Sequence, residues 1–310
     1  MPHNWWTQRA SHEVVAEAGP LVIAHRGDRA HAPENTIVAF ERALAAGSDA
    51  FELDVHVIVD GTVVVCHDAT LDRTTDATGP IAHTTFAELR DADAGAHWSP
   101  HPDPDKANTA LRGGPRPFAG RGIRVPTLGE VLEAFPATPM IIDAKSVPTG
   151  LALIEVIERH GARDRVLIGS FLLDALRPAR GAGYCTTAAQ AELVPLLPHA
   201  LFRRRAPHVP FDAAALPPRH RGFPVPVLGF ARATARPVFV WTVNDPALAA
   251  TIAGRGADMI VTDNPVMVRE VLAKLYEVHR SEPDRHVAVS NELRDQLART
   301  LSEDQTRTHH

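Results

Sequence analysis

The sequence predicts an α/β domain built as a (β/α)8 TIM barrel, and three observations lead to this fold class. Short apolar runs of β type alternate with helical patterns over roughly 250 residues of the 310-residue chain, as in proteins with parallel sheets. The alternation supplies eight strand–helix units, the number that closes a barrel. The alternative, a doubly wound open sheet, lacks support because the sequence contains neither a GxGxxG turn nor a P-loop.

The predicted barrel strands are short runs of apolar, often β-branched residues. They cover residues 21–24, 50–55, 140–143, 166–169, 184–188, 213–216, 238–242 and 259–261. Between residues 57–59 and 62–66 the pair Asp60-Gly61 predicts a two-residue hairpin turn. The second barrel strand is therefore expected to be followed by an antiparallel return strand.

Capping residues mark the predicted helices. Asn35 is predicted to cap the first helix, which stops at Gly47. Thr127 and Glu130 form a capping-box pattern at the start of the second barrel helix. Further helical patterns cover residues 150–160 and 246–255, with a short helical piece near residues 85–90.

Residues from about 56 to 125 are expected to form an insertion between the second strand and the second helix. This segment is rich in Pro, Gly, Asp and His and shows little periodicity. An insertion at this point lies over the C-terminal mouth of a barrel, where active sites lie. We expect an N-terminal arm at residues 1–19 and a catalytic barrel at 20–275. The charged tail at 276–310 is expected to be partly helical or disordered, with a helix at 291–301.

Composition and charge exclude several functional classes. A formal net charge of −5 argues against a general nucleic-acid binder. No apolar stretch reaches the roughly 18 residues of a membrane span, and the N-terminus lacks a signal-peptide core. A cytoplasmic protein without a stable membrane anchor is therefore expected. Cys66 and Cys185 lie in apolar stretches and are expected to be buried core residues. No heptad pattern indicates an oligomer, and the oligomeric state is left open.

Five polar clusters stand at or just after predicted strand ends or the turns that follow them. They are His25-Arg26-Gly27, Glu34-Asn35-Thr36, Glu52-Leu53-Asp54, His67-Asp68 and Asp143-Ala144-Lys145. Buried charges are costly, so charged groups on strands indicate a function. Because the C-terminal ends of barrel strands share one mouth, most of these groups are expected to meet there. Their imidazoles, carboxylates and cations suit the cleavage of a phosphate ester with a divalent metal.

The carboxylates are the candidate metal ligands. Glu52 and Asp54 are two residues apart on a strand, so their side chains point to the same face. Two adjacent carboxylates repel each other unless a cation lies between them, and oxygen ligands suit Mg²⁺ or Ca²⁺. Asp143, at the end of the next barrel strand, completes the set. A salt-bridged pair near the rim is the alternative.

The remaining groups have two interpretations each. Arg26 and Lys145 either hold the nonbridging oxygens of a phosphate or only neutralise the carboxylates. His25 and His67 are candidates for proton transfer, since an unperturbed imidazole titrates near pH 6.5, although structural or ligand roles are possible for single histidines. Glu34 either stands at a helix start or turns to the mouth, where it orients His25 or supports the metal shell.

The order and spacing of these motifs resemble the glycerophosphodiester phosphodiesterase family. The resemblance runs from about residue 21 to residue 275. It is carried by Ala24-His25-Arg26-Gly27, Pro33-Glu34-Asn35-Thr36, Phe51-Glu52-Leu53-Asp54-Val55, His67-Asp68, Leu71-Asp72-Arg73-Thr74-Thr75, Pro126-Thr127-Leu128, Trp241-Thr242-Val243-Asn244 and Val261-Thr262-Asp263-Asn264-Pro265.

The resemblance implies a (β/α)8 barrel that uses a divalent cation to hydrolyse glycerophosphodiesters, such as glycerophosphocholine or glycerophosphoethanolamine. The products would be sn-glycerol 3-phosphate and an alcohol. It also implies roles for named residues: the acid–base pair is His25 and His67, the metal ligands are Glu52, Asp54 and Asp143, and the phosphate-binding cations are Arg26 and Lys145. Glu34 matches a glutamate near the metal and the base. Trp241 matches an aromatic residue that lines the glycerol side of the pocket.

Position 143 departs from the family pattern. The family usually has Glu-x-Lys, whereas this chain has Asp143-Ala144-Lys145. Aspartate is one methylene shorter, and metal–oxygen distances tolerate only about ±0.2 Å. The affinity for the metal and the choice of metal therefore depend on this residue.

The implied reaction leaves several choices open. One histidine activates the nucleophile and the other protonates the departing alkoxide, and we favour His67 as the acid. The nucleophile is either water or the glycerol 2-hydroxyl, which would give a cyclic phosphate first. A phospholipase D-like activity on lysophospholipids or sphingolipids is an alternative that needs an apolar channel, for which Phe118 and Trp98 are candidates. A weakened barrel that only binds phosphodiesters is a further alternative, supported by Asp143 alone.

Overall fold

Seven parallel strands form the curled central sheet of the computed structural model. In order along the sheet they are β5 (Val166–Gly169), β4 (Met140–Ala144), β2 (Ala50–Val57), β1 (Leu21–His25), β10 (Met259–Thr262), β9 (Val238–Val240) and β6 (Ala214–Leu216). The structure describes residues 19–281, apart from residues 102, 104–106, 108–113, 203 and 207.

Residues 184–188 close the gap between β5 and β6. On one side the N–H of Thr187 donates to the carbonyl of Ile168 over 2.9 Å, and on the other the N–H of Ala188 donates to the carbonyl of Ala213 over 2.9 Å. These contacts form isolated parallel bridges in place of the regular strand predicted here. With this segment, eight parallel stretches surround the barrel, and the predicted fold class is confirmed.

Helices connect the strands on the outside of the sheet. They are α1 (Ile37–Ala45), α2 (Phe86–Asp91), α3 (Leu128–Ala134), α4 (Val147–Arg159), α5 (Leu173–Gly181), α6 (Gln190–Leu193), α7 (Leu197–Leu201), α8 (Val227–Thr234), α9 (Pro246–Gly254) and α10 (Pro265–Ser281). Short 3-10 turns cover Ile81–His83, Arg163–Arg165 and Val194–Leu196. Two apolar clusters lie between this helical layer and the sheet.

The first helix begins one residue later than predicted. Thr36 is the N-cap of α1, since its hydroxyl accepts the N–H of Ala39 over 3.3 Å. The predicted cap at Asn35 was wrong because the Asn35 amide is used elsewhere and donates to Asp54 over 3.0 Å. The capping box at Thr127 is confirmed at the start of α3.

The chain between β2 and α3 begins with the predicted hairpin. β2 pairs antiparallel with β3 (Val63–Val65). Nine buried residues, all of them from this segment, form a separate small core: Ile58, Val64, Cys66, Leu71, Ile81, Leu89, Ala94, Ile123 and Val125. The limits of an insertion, an arm and a tail stay a prediction, and the helix expected at residues 291–301 lies outside the described residues.

A smaller hairpin follows β6, where β7 (Arg219–His220) pairs with β8 (Phe223–Pro224). Cys66 is buried as predicted, whereas Cys185 is only partly buried, and the two cysteines do not form a disulfide with each other. Among the helices of the described part of the chain, none is both long and apolar enough to span a bilayer.

Candidate active site

The polar residues of the site continue the apolar inward faces of the barrel strands. A buried layer inside the barrel includes Ile23 of β1, Ala50 of β2 and Ile141 of β4. Side chains two residues further along a strand point to the same side. His25 and Glu52 therefore stand directly above this layer, at the C-terminal ends of the strands. Along each of these strands, the next inward-facing residue after the apolar layer is therefore polar, and these polar residues form the floor of the site.

One cavity of about 320 Å³ opens at this end of the barrel. It is lined by eight of the nine residues that the sequence singled out: His25, Arg26, Glu52, Asp54, His67, Asp143, Lys145 and Trp241. Glu34 lies outside it and lines a smaller neighbouring pocket. The closed barrel therefore brings together residues that come from four separate motifs in the first half of the chain and one near its end.

His25 is buried and is held by a carboxylate that follows the neighbouring strand β10, 238 positions away in the sequence. Its Nδ1 lies 2.6 Å from Oδ1 of Asp263, and Asn244 donates to the other oxygen of Asp263 over 2.6 Å. A carboxylate only accepts, so Nδ1 carries the proton and Nε2 is left as an acceptor. Burial lowers the pKa of His25, helped by Arg26 and opposed by Asp263, which favours the neutral imidazole of a general base.

His67 has a carboxylate partner of its own. Its Nδ1 lies 2.6 Å from Oδ1 of Asp68, and Arg73 donates to Asp68 from Nε over 2.6 Å. The hydrogen bond from His67 lowers the pKa of Asp68, and Arg73 adds to this effect, while burial opposes it. In both histidines, therefore, Nδ1 is the ring nitrogen beside the carboxylate, and Nε2 is the other one.

Glu34 connects two arginines beneath the cavity. It accepts from Arg26 over 2.9 Å and from two nitrogens of Arg73 over 2.8 Å each. Burial would raise the pKa of Glu34, but Arg26 and Arg73 outweigh it and hold the pKa well below its usual value. Glu34 thus contacts Arg26, while Asp263 is the carboxylate beside Nδ1 of His25. A role of Glu34 in orienting His25 or in supporting a metal shell stays a prediction.

Asp54 is paired with three polar side chains. It lies 3.0 Å from Nε of Arg26 and 2.6 Å from Nζ of Lys145, and it accepts from Asn35 over 3.0 Å. Burial would raise the pKa of Asp54, but the two cations lower it. Lys145 also lies 2.6 Å from Oδ2 of Asp143. One ammonium therefore bridges the two aspartates that the sequence proposed as metal ligands.

Glu52 differs from its neighbours because one of its oxygens is unpaired. Oε2 is buried without a hydrogen-bond partner and lies 3.8 Å from Nε2 of His25. Burial and the adjacent charge of Asp54 raise the pKa of Glu52 well above its usual value. A buried acceptor with no donor is costly, and a cation beside it would satisfy the oxygen and offset the repulsion between the carboxylates.

The donor set of this floor therefore fits a hard divalent cation that coordinates Glu52, with Asp54 and Asp143 adjacent. Within the described residues, no three His, Cys, Asp or Glu side chains are arranged closely enough to form a ligand group. In the structure Nζ of Lys145 lies 2.6 Å from both Asp54 and Asp143.

The backbone around Arg26 is unusual. Arg26 and Asn35 both have φ of 57°, a left-handed conformation that costs non-glycine residues roughly 1–2 kcal/mol. The N–H of Asn35 donates to the carbonyl of Arg26 over 2.9 Å. Gly27 follows at φ 83°, and a Cβ there would lie 2.6 Å from the carbonyl carbon of Ala39 in α1. The tight turn aims both Arg26 and Asn35 at Asp54, and it requires Gly27.

Sequence reasoning assigned no role to Asp263, Asn244, Asp68 or Arg73. A signal for Asp263 was present, because it stands two residues after the inward-facing Val261 and thus has the same parity as the barrel interior. Asp68 directly follows His67 in the sequence. The sequence alone does not show that Asp263 pairs with His25 and Asp68 with His67.

The far wall of the cavity is apolar. Trp241 lines it just after β9, with its ring centroid 5.5 Å from that of Phe171 in an edge-to-face arrangement. The apolar channel expected from Trp98 and Phe118 was wrong. Trp98 is buried and packs edge-to-face against Phe118 at 5.0 Å, and neither residue lines the cavity. The other apolar residues of this wall, such as Phe171, Leu216 and Phe230, belong to the part of the chain from the end of β5 to α8.

Comparison with known proteins places these observations in a family. The model of the glycerophosphoryl diester phosphodiesterase family matches residues 25–267. A glycerophosphodiester phosphodiesterase of Caldanaerobacter subterraneus subsp. tengcongensis is 30% identical over 262 residues, which are 82% of this chain and 98% of that protein.

Two solved structures are similar in fold and sequence. The crystal structure of a glycerophosphodiester phosphodiesterase from Agrobacterium tumefaciens superimposes with a TM-score of 0.62 at 25% identity, covering 81% of this chain and 98% of the other. A phosphodiesterase of Oleispira antarctica, in complex with the product sn-glycerol-3-phosphate, has a TM-score of 0.64 at 26% identity, covering 82% and 96% of the two chains.

Proposed function

Because the chain belongs to the glycerophosphoryl diester phosphodiesterase family, we propose that it hydrolyses glycerophosphodiesters to sn-glycerol 3-phosphate and an alcohol. Glycerophosphocholine and glycerophosphoethanolamine are the expected substrates. The observation that supports this best is the pair of carboxylate-oriented histidines, His25 with Asp263 and His67 with Asp68, in one cavity with two cations. The Oleispira antarctica relative binds the corresponding product.

Phosphodiester cleavage requires one group that removes a proton and one that supplies a proton. The side chain of His25 is only 11% exposed, whereas that of His67 is 35% exposed. A leaving alcohol must depart to solvent, so the more accessible His67 is placed to protonate it. The buried His25, with Nε2 free, then takes the proton of the attacking hydroxyl. Water and the glycerol 2-hydroxyl are both compatible with this division of roles.

Arg26 and Lys145 are the cations for the phosphoryl oxygens. Each is already paired with Asp54, at 3.0 Å and 2.6 Å, so each is held in place before substrate arrives. Preorganised cations stabilise charge that develops in the transition state without a reorganisation cost. Trp241 is proposed to line the glycerol side.

Glu52, Asp54 and Asp143 are proposed to hold a divalent cation, Mg²⁺ or Ca²⁺. When bound, a cation of this class supplies Lewis-acid stabilisation to the phosphoryl oxygens. A cytoplasmic location, a small-molecule substrate and the absence of a nucleic-acid partner and of a stable membrane anchor also belong to this proposal.

The decisive experiment incubates the purified chain with glycerophosphocholine and measures sn-glycerol 3-phosphate and choline. Equal release of both products, abolished by EDTA and restored by Mg²⁺ or Ca²⁺, is expected. Release of phosphocholine would contradict the proposal, because the bond between phosphorus and the glycerol oxygen would then be cleaved instead of the bond to the choline oxygen. Binding of glycerophosphocholine without release of either product would favour a barrel that only binds phosphodiesters.

A further inference from the structure

Within the proposed function, on which this step rests, we infer that Arg73 is a positioning residue for the proposed acid. It holds Asp68, and Asp68 in turn orients the ring of His67. A chain of side-chain contacts that begins at the buried Glu34 and ends at His67 supports this role. Glu34, Asp68 and Arg73 do not line the cavity, so the role of Arg73 is not one of substrate contact.

The guanidinium of Arg73 binds two carboxylates at once. Its Nε donates to Oδ2 of Asp68 over 2.6 Å, and its Nη2 donates to Oδ1 over 3.0 Å. Its Nη1 and Nη2 donate to the two oxygens of Glu34 over 2.8 Å each. Paired N–H groups of a planar guanidinium match the two oxygens of a carboxylate, whereas a lysine ammonium donates from a single atom and cannot reproduce both pairs. The geometry therefore requires arginine at this position.

The two carboxylates bound by Arg73 differ in burial. The side chain of Glu34 is 1% exposed, whereas those of Asp68 and Arg73 are 26% and 27% exposed. A partly exposed ion pair holds its geometry weakly by itself, because water competes for both partners and the side chains keep their freedom. The buried Glu34 gives Arg73 a fixed partner, and Arg73 then restricts the movement of Asp68.

The backbone at His67 gives this histidine less support than β1 gives to His25. His25 is the last residue of β1, whereas His67 lies two residues beyond β3, outside any strand or helix. Arg73 lies in a closed turn, since the N–H and the hydroxyl of Thr75 both donate to the carbonyl of Leu71, over 3.1 and 2.9 Å. A side chain from a fixed turn thus holds the partner of a histidine on an irregular segment.

The proposed base is held in a different way. Asp263, beside His25, is fully buried and accepts from Asn244 over 2.6 Å. This carboxylate makes no use of Arg73. Loss of Arg73 should therefore impair the acid and spare the base.

The choice of leaving group isolates the step that needs the acid. In the proposed hydrolysis the oxygen of the nucleophile bonds to phosphorus and loses its proton to His25. The bond from phosphorus to the departing oxygen breaks, and His67 gives a proton to that oxygen. Choline needs this proton, whereas the far more acidic p-nitrophenol departs as its anion without one. An impaired acid therefore slows release of choline more than release of p-nitrophenolate, while impaired phosphate binding slows both.

The test compares glycerophosphocholine with the p-nitrophenyl ester of glycerol 3-phosphate. The quantity measured, called the leaving-group ratio here, is kcat/KM for choline release divided by kcat/KM for p-nitrophenolate release. We expect it to fall at least about tenfold in Arg73→Lys and in Arg73→Gln, since a small misplacement of a catalytic group can cost about 10²-fold in rate. A leaving-group ratio equal to that of wild type in Arg73→Lys would overturn the inference, because positive charge without the paired contacts would then be sufficient.

A matched control comes from another arginine of the same segment. Arg90, in α2, is 45% exposed and pairs with Glu130, and Arg90→Lys should leave the leaving-group ratio unchanged. Circular dichroism verifies that each variant is folded. If Arg73→Lys does not fold, Arg73→Gln decides the question by the same criterion.

A double-variant cycle tests whether Arg73 acts through His67. His67→Ala alone should lower the leaving-group ratio at least as far as Arg73→Lys does. In the His67→Ala background, Arg73→Lys should cause no further fall, because two changes that act through one group are not additive. A further fall as large as the one in the wild-type background would contradict the route through His67.

The tautomer of His67 gives a readout that does not depend on turnover. Asp68 accepts from Nδ1 and so favours the ring that is protonated at Nδ1. Long-range nitrogen NMR spectra under basic conditions, assigned by comparison with His67→Ala, measure the share of this tautomer, which should fall in Arg73→Lys. If no diester is cleaved but the share falls, only the proposed function fails. If diesters are cleaved while the share and the leaving-group ratio stay unchanged, the positioning role of Arg73 fails.

Discussion

The Nδ1 atom of His25 lies 2.6 Å from Oδ1 of Asp263, although the two residues are 238 positions apart in the sequence. The contact exists because β1 and β10 are parallel neighbours in the closed sheet, with Ile23 opposite Val261. Asp263 is fully buried and also receives a hydrogen bond from Asn244. The carboxylate is therefore a fixed acceptor that sets the orientation and tautomer of the proposed base.

We expect Asp263→Asn to lower kcat by about 10² to 10⁴, because an amide can donate to Nδ1 and favour the wrong tautomer. The measurement is the rate of choline release from saturating glycerophosphocholine. Asp174→Asn, which changes an exposed carboxylate of α5, is the matched control and should leave the rate unchanged. Thermal unfolding of both variants verifies that they are folded. A wild-type kcat in Asp263→Asn would contradict the role of Asp263 in positioning His25.

The histidines themselves are tested by His25→Ala and His67→Ala. Loss of a general acid or base typically costs about 10² to 10⁴ in rate, so each variant should lose at least 10² in turnover while keeping its circular dichroism spectrum. His83→Ala alters an exposed histidine in the turn Ile81–His83 and should turn over normally. Near-normal rates in either active-site variant would reject the acid–base assignment.

Asp143 is the residue at which metal affinity is expected to respond most clearly. Removal of a supporting carboxylate typically weakens metal affinity about 10- to 100-fold, so Asp143→Ala should raise the dissociation constant for Mg²⁺ or Ca²⁺ by this amount. Asp143→Glu retains the charge on a longer side chain and should remain within about tenfold of wild type. Calorimetry with the metal alone gives the constants. Asp164→Ala, at an exposed aspartate, is the control, and an unchanged constant in Asp143→Ala would contradict the ligand set.

Glu34 should make stability depend on pH. Its pKa is near 4.5 when unfolded and well below that value when folded, because Arg26 and Arg73 outweigh the effect of burial. The unfolded chain therefore binds more protons in this range, and stability falls as the pH drops below about 4.5. At neutral pH we expect Glu34→Gln to lower the free energy of unfolding by about 3 kcal/mol, since it leaves buried arginines unpaired.

The difference in unfolding free energy between wild type and Glu34→Gln should then narrow as the pH falls below 4.5. Urea unfolding at pH 7 and at several lower pH values measures it. Glu155→Gln, on the exposed face of α4, should show little difference at any pH. If the difference in unfolding free energy between wild type and Glu34→Gln were the same at every pH, the ionised carboxylate of Glu34 would be excluded as the source of that difference.

The two thiols should differ in reactivity. Burial raises the pKa of Cys66 to about 12, with a contribution from the charge of Glu34, and the thiolate is the reactive form. At pH 8, iodoacetamide should modify the partly buried Cys185 at least about tenfold faster than Cys66, as measured by peptide mass spectrometry. In guanidinium chloride the two rates should converge. Equal rates in the native protein would mean that Cys66 is accessible.

Local patterns in the sequence were sufficient for much of the fold. Short apolar runs located the barrel strands, Asp60-Gly61 located the hairpin, and the Thr127 capping box located a helix start. Each of these signals depends on residues only a few positions apart, so it can be recognised without knowledge of the tertiary structure. The exception was the first cap, where Asn35 and Thr36 are both suitable residues and a distant carboxylate, Asp54, decided between them.

Strand parity explains why the sequence also determined most of the candidate site. Glu52 and Asp54 had to share a face, and the C-terminal end of each strand had to meet the others at one mouth. Partner choice was different, because it depends on which strands become neighbours when the sheet closes. Only the tertiary structure decided that Asp263 reaches His25, that Lys145 lies between two aspartates and that an apolar wall of the cavity adjoins them. These are contacts between residues far apart in the chain, and no local propensity specifies them.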